Sequence, residues 1–503
     1  LLCCSCDNML DVEPEIAVTY TNYFQNEQDV HKTYIDMYAK LREVYFQYQL
    51  QPHHKMGLVY DQCNEYYSYA DELKNLSAEA FKKVDGTSWL LHYNVIFQSN
   101  LILDNLYRVQ DLPKDRENFY RGHCYFAKGL MYYEIARRWG NAPITRDSKS
   151  IDPLGRSDAK VVLDTALSNA LRAFDLLKNY EEAVDYNGQK LKKYYAHKGA
   201  AAALLANIYA WKGGVFNDPD AYKETEKYCT LIIENKVGIY KMVDTPEEVC
   251  SVVMDRLSSE SVFELLNSSI DFGFTTGRSP GINFHIGENY GSGGYPLNPF
   301  GSLSNNQYEN LYLIKNDRVK KIWSDGDLRR TAYFWKFDEM AAADEEITGG
   351  FAYPYFWRKP LLDAAWDPAE MINVDGNKIF WRLAEIYLLR AEARCRANLP
   401  GAEDDLNCVR NRAHAKAYPA DTDTEGLQMA IFREREREMF FDGERYYDIV
   451  RNGYYTLPGM ISEVFEQLTE QDVKDGALYV PIMETEMQRN TLMRQNPYWL
   501  ARW

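Results

Sequence analysis

Apolar residues recur at three- and four-residue spacing through most of this chain. From about Glu27 the positions Val30, Tyr34, Met37, Tyr38 and Leu41 fall on one helical face. Long helices are predicted at about 88–109 and 115–138. The second should stop at Trp139-Gly140-Asn141, with Pro143 just beyond. Segment 191–235 reads as a helix–turn–helix unit. Its first helix, YYAHKGAAAALLANIYAW, carries Ala200, Ala203, Leu204 and Tyr209 on a close-packing face. Gly213-Gly214 should break it before AYKETEKYCTLIIEN. The pair 380–397 and 401–415 has the same form, with Ala384, Ala391 and Ala393 and a Leu399-Pro400-Gly401 turn. Further copies are expected among 88–138 and 160–178. Small residues that let paired helices approach closely are the device of tetratricopeptide-like repeats. These units are not adjacent, so the pattern implies a helical framework with insertions, mostly α.

The largest insertion is about 266–378. Helical periodicity fades there, and GFTTGRSPGIN (273–283) and ENYGSGGYPLNPFG (288–301) read as loops. Long loops on a rigid frame usually carry function. This one is aromatic, with Phe272, Phe274, Tyr290, Tyr295, Trp335, Tyr355, Trp357 and Trp366. The earlier run Tyr60–Tyr69 is similarly rich in rings and polar groups. Near the start, Glu13-Pro14 disfavours helix, so 7–15 reads as an extended leader.

Composition narrows the function. With 503 residues the chain can bury a large core, and a formal net charge of −17 argues against a nucleic-acid partner. No stretch approaches the roughly 18 apolar residues of a membrane span. Tyr is abundant at 39, beside Trp 10 and Phe 22. Most such rings fill helix–helix contacts, and a surplus is available to line a sugar or peptide site. Cysteines are lopsided: Cys3, Cys4 and Cys6 crowd the start, and the others are scattered singly, as small core side chains are. Leu1-Leu2 followed by Cys-Cys-Ser-Cys-Asp looks like the end of a signal peptide. Ser5 before Cys6 resembles a lipoprotein cleavage box, which makes Cys6 the expected lipidated residue, with Cys3 or Cys4 as alternatives. Diacylation would hold the protein at a membrane without a spanning helix.

Catalytic and metal patterns fall away on inspection. Gly277-Arg278-Ser279-Pro280-Gly281 fits the nucleophile-elbow spacing, but Pro280 lacks the N–H that an oxyanion hole needs. Asp421-Thr-Asp-Thr-Glu-Gly426 starts like a calcium loop, yet Phe432 stands where the bidentate Glu belongs. The eight histidines show no ligand spacing. Neither a catalytic residue, a metal nor a cofactor is expected. The run Arg433-Glu-Arg-Glu-Arg-Glu438 alternates in sign and reads as a solvated helix face laced with ion pairs.

The order of the chain's blocks resembles the SusD/RagB family, surface nutrient-binding lipoproteins of Bacteroidetes. The blocks are FWRLAEIYLLRAEARCRA (380–397), IFREREREMFFDGERYYDIVRNG (431–453) and LYVPIMETEMQRNTLMRQNPYW (478–499). Upstream, WLLHYNVIFQSN (89–100) and FAKGLMYYEIARRWGNAPIT (126–145) are similar to the family's early helices. The resemblance implies a SusD-like α–α superhelix in one compact unit. Its parts would be a signal remnant and lipobox (1–6), an N-terminal helical region (7–265), a ligand-bearing insertion (266–378) and a C-terminal region (379–503). It implies a structural role for Arg435, Glu438 and Arg445, joining the last repeat to the C-terminal segment, and a core position for Trp89. It further implies non-catalytic capture of an oligosaccharide at the outer membrane and its delivery to a SusC-like TonB-dependent transporter.

Sugar rings stack on aromatic faces, and polar side chains bond their hydroxyls. The expected ligand-binding residues are therefore Tyr66, Tyr67, Tyr290, Tyr295, Trp335 and Trp357, with Asp61, Asn64 and Arg358 as polar partners. These rings lie where helical packing explains them least. The alternatives are a RagB-like peptide-binding protein, an all-helical glycoside hydrolase and a cytoplasmic tetratricopeptide scaffold.

Overall fold

A computed structural model describes residues 23–46, 52–59, 61, 69–84, 87–268, 314–343, 350–363 and 370–503. The longer helices are α1 (Glu27–Phe46), α2 (Leu90–Asn105), α3 (Lys114–Arg138), α4 (Ala159–Leu176), α5 (Lys198–Val215), α6 (Ala221–Ile233), α7 (Leu383–Arg396), α8 (Ala402–Arg412), α9 (Leu427–Glu438) and α10 (Arg445–Asn452). Each helix from α1 to α8 packs on the next in the series, α9 packs on α7, and α10 returns to lie on α5. The result is the mostly helical framework that the spacing implied, wound as the superhelix that the resemblance implied.

The apolar faces behave as their spacing requires. Val30, Tyr34, Met37, Tyr38 and Leu41 of α1 are all buried, and Ala200 to Ala206 of α5 are wholly so. Helix α3 stops at Arg138, and Gly140 turns the chain with φ 69°. Trp89 is buried edge-on to Trp139, their ring centroids 5.9 Å apart. Cys124, Cys229 and Cys250 are buried free thiols, while Cys395 and Cys408 are half-buried.

Three expectations need correction. Helix α5 runs through Gly213-Gly214 to Val215. These glycines are contact points: a Cβ at Gly214 would lie 2.1 Å from the Arg451 carbonyl oxygen, and one at Gly213 would meet the Tyr222 ring. Residues 380–382 are strand, not helix. Strand β6 (Lys378–Arg382) pairs antiparallel with β1 (Ser261–Leu265), and α7 begins only at Leu383. Within 266–378 the described parts are short elements: the helices Asn316–Ile322, Arg329–Tyr333 and Phe337–Ala342, and the strand pairs β2 (Ile314–Lys315) with β3 (Phe351–Ala352) and β4 (Pro360–Asp363) with β5 (Glu370–Val374).

The third correction concerns the alternating charges of α9, which form a solvated face only in part. Glu434, Arg435 and Glu438 are buried. Glu434 accepts from Arg329 at 2.6 Å and Arg410 at 3.0 Å. Glu438 pairs with Arg382, Arg412 and Arg329. Burial alone would raise the Glu438 carboxyl, but these three guanidinia hold it down at about 2. The buried charges are affordable only because each is matched and hydrogen-bonded. The same network ties α9 to α10 through Arg435–Asp448 at 2.9 Å and Arg445–Glu436 at 2.7 Å. Arg435, Glu438 and Arg445 thus have the joining role that the resemblance implied.

Candidate binding site

A cavity of about 500 Å³ opens between three segments distant in sequence. That size suits a small-molecule ligand. The first wall is the end of the short helix Pro52–Gly57 and the two residues after it, Leu58 and Val59. The second is the helix Asn316–Ile322, with Arg318, Lys321 and Ile322. The third is the last turns of α9, the loop beyond and the start of α10, with Arg433, Glu436, Phe440 and Arg445.

Each wall has a mechanical reason to be where it is. Arg445 donates to the carbonyls of Gly57 at 3.3 Å and Met460 at 2.9 Å and to Glu436, so one guanidinium clamps the first wall to the third. Gly57 is required there, because a Cβ would stand 2.7 Å from the Tyr446 backbone nitrogen. Asp61 holds the second wall. Its carboxylate accepts from the Lys315 backbone N–H at 2.7 Å and from Arg318 Nε at 2.8 Å, which satisfies a free donor at the start of that helix. Phe440 supplies an apolar face, kept in place by the buried Trp323 ring with centroids 4.9 Å apart.

The expected site residues are distributed unevenly. Asp61 borders the cavity through Arg318, and both its oxygens are engaged within the chain. Trp335 and Arg358 come together elsewhere, around Tyr355. The Trp335 ring is edge-on to Tyr355 at 4.7 Å, and the Arg358 guanidinium lies over the Tyr355 ring at 3.7 Å. Arg358 is fixed by Glu247 at 2.6 Å and the Ala332 carbonyl at 2.9 Å. Trp357 corrects the idea that packing explains these rings least. It is 4% exposed and lies against Phe356 and Phe441, inside the main apolar core. Tyr66, Tyr67, Asn64, Tyr290, Tyr295 and Cys6 lie outside the described residues.

Sequence reasoning missed Arg318, Lys321, Arg433 and Phe440 as cavity residues. The only signal was the density of arginine in 433–445, and that signal reads equally as a structural network. No group of His, Cys, Asp or Glu among the described residues is placed to hold a metal ion. Among them, no helix is long and apolar enough to cross a membrane.

A superhelix of paired helices, with a cavity where two inter-helix segments meet the C-terminal helices, defines an α-superhelical protein of the SusD type. The chain belongs to the SusD/RagB family. The family model described as SusD family matches residues 335–499, and one described as starch-binding associating with outer membrane matches residues 8–210. SusD-like protein P25 of Formosa agariphila is 24% identical, over 98% of this chain and 96% of its own. A SusD homolog from Bacteroides thetaiotaomicron shares the fold with a TM-score of 0.73 at 22% identity, covering 95% of this chain and 99% of that one. B. fragilis NanU does so at 0.71 and 20%, covering 97% and 99%. Surface glycan-binding protein A from Bacteroides thetaiotaomicron does so at 0.69 and 17%, covering 95% and 100%.

Proposed function

We propose that this chain is a cell-surface lipoprotein that captures an oligosaccharide without cleaving it and passes it to a TonB-dependent outer-membrane transporter. The observation that carries the reading is the cavity beside Asp61, in a chain of this family. It has the volume of a ligand site, an apolar Phe440 wall for a sugar face and guanidinium donors for oxygens. Family likeness supports the glycan and the outer-membrane setting. A surface glycan-binding protein shares the fold, and the matching family model is described as starch-binding associating with outer membrane. Attachment through a lipid on Cys6 and the transporter partner rest on the same likeness.

Two of the three carboxylates at the cavity, Glu436 and Asp448, are held by arginines, which suits binding better than hydrolysis. Glycoside cleavage needs one carboxyl that holds a proton and one that is free to attack or activate water. Glu436 is gripped by Arg433 at 2.6 Å and Arg445 at 2.7 Å, and Asp448 by Arg435 and Arg451.

The test is a binding panel of oligosaccharides and peptides on the soluble mature protein, with product analysis after long incubation. The reading predicts saccharide binding without new reducing ends. Exclusive peptide binding would move it to the peptide-binding alternative, and protein-dependent sugar release would move it to a hydrolase. Membrane release of Cys6→Ala, and recovery of a TonB-dependent transporter on gentle purification, check the setting.

A further inference from the structure

The cavity's charge is at odds with the charge of the whole chain. The protein carries a formal net charge of −17. The cavity lining nonetheless presents six Lys and Arg side chains against three Asp and Glu. A local reversal of sign inside a low-dielectric concavity concentrates counter-ions there.

Ion pairs absorb only part of this surplus. Arg435 is taken by Asp448 at 2.9 Å, and Arg318 by Asp61 at 2.8 Å. Arg433 and Arg445 share the single carboxylate of Glu436. Arg437 reaches only Glu434, which already serves Arg329 and Arg410. Lys321 has no carboxylate partner among the described residues and is exposed at the cavity's second wall. The Arg433 guanidinium uses one of its nitrogens on Glu436 and is 39% exposed, so its remaining N–H groups are available to a ligand. Two under-neutralised cations therefore line one cavity, together with Phe440.

We propose that this cavity selects an acidic saccharide, one whose ring bears a carboxylate or a sulfate. Lys321 and Arg433 hold the anionic group, and Phe440 underlies the C–H face of the ring. An anion received between an ammonium and a guanidinium gains charge-assisted hydrogen bonds, and a guanidinium fork matches two oxygens of either group. This inference rests on the saccharide-binding reading above and adds the ligand's chemical class. The overall negative charge then acts against non-specific uptake of anions elsewhere on the surface.

Isothermal titration of the full soluble protein with matched neutral, uronate-bearing and sulfated oligosaccharides tests it. An acidic ligand should bind at least about tenfold tighter than its neutral counterpart, with affinity falling as salt rises. Whichever of uronate and sulfate binds more tightly identifies the anion. The double variant Lys321→Gln/Arg433→Gln should bring the acidic affinity down to the neutral level with an unchanged Tm, since neither side chain is buried. Equal affinity for acidic and neutral ligands, or an acidic preference that survives the double variant, overturns the inference and leaves the saccharide reading standing. Failure of every saccharide to bind overturns both.

Discussion

Arg382 shows how much of this molecule depends on single matched charges. Its guanidinium bonds the Glu438 carboxylate and, at 2.7 Å, the Glu438 backbone carbonyl. Glu260 lies at 3.5 Å and is gripped more closely by Arg412 at 2.8 Å. Replacing Arg382 with Met removes one partner and leaves buried carboxylates under-neutralised. The expected loss is about 3–5 kcal/mol, the usual result of breaking a buried pair from one side, and urea denaturation measures it. Arg330→Met is the contrast. Its partners Asp325 and Asp338 are exposed, so the change should be within about 1 kcal/mol. A loss at Arg382 no larger than at Arg330 would show that the buried network is not holding β6 to α9. This is also where sequence reading stopped short. The partners Arg329, Arg382, Arg410 and Arg412 lie 24 to 109 residues from Glu434 and Glu438, the α9 acids they neutralise, and alternating signs look the same on a wet face and a dry one.

At the scale of elements, helix identity was legible because apolar spacing is local information. Val30 to Leu41 and the alanines of α5 identified buried faces from their spacing alone. Gly213-Gly214 misled because glycine has two uses, ending a helix or admitting a neighbour, and only the fold brings α10 onto α5. Gly214→Ala should therefore destabilise by roughly 1–3 kcal/mol or more through overpacking against Arg451. Gly155, with nothing within 4 Å of its added Cβ, should tolerate Ala. Thermal melts of the two variants separate contact from propensity, and equal melts would restore the helix-breaking role. Strand β6 was read as helix because Phe380-Trp381-Arg382 continues the apolar spacing of α7. Pairing with β1, more than a hundred residues earlier, overrides that local signal.

The whole molecule should be most stable near neutral pH. Burial lowers His54 and His197 from 6.5 to about 3, so both are neutral when folded and take protons on unfolding once the pH falls below 6.5. Burial opposes Glu392 and Glu444, but Arg451 and Arg137 respectively outweigh it, and both sit at about 2. Their contribution is complete above 4.5 and is lost as the pH falls towards 2. Glu385 runs the other way. Burial, only partly offset by Arg435, pushes it up to about 8, so its contribution is present below 4.5 and is lost as the pH rises through 8. Tm should fall from about pH 6.5 downwards, more steeply below 4.5, and Glu385→Gln should flatten the decline on the alkaline side. A Tm that rises on acidification from neutral would contradict these assignments.

The cavity was the least legible feature, because Leu58, Lys321 and Arg433 become neighbours only when the superhelix closes. Its aromatic component also differs from expectation. Trp357 serves the core, Trp335 stands in a separate stack, and Phe440 is the ring at the cavity. The most direct measurement is a crystal structure of the protein with a bound oligosaccharide. The account predicts sugar density between Lys321, Arg433 and Phe440. Density confined to another surface, with this cavity empty at saturating ligand, would contradict it.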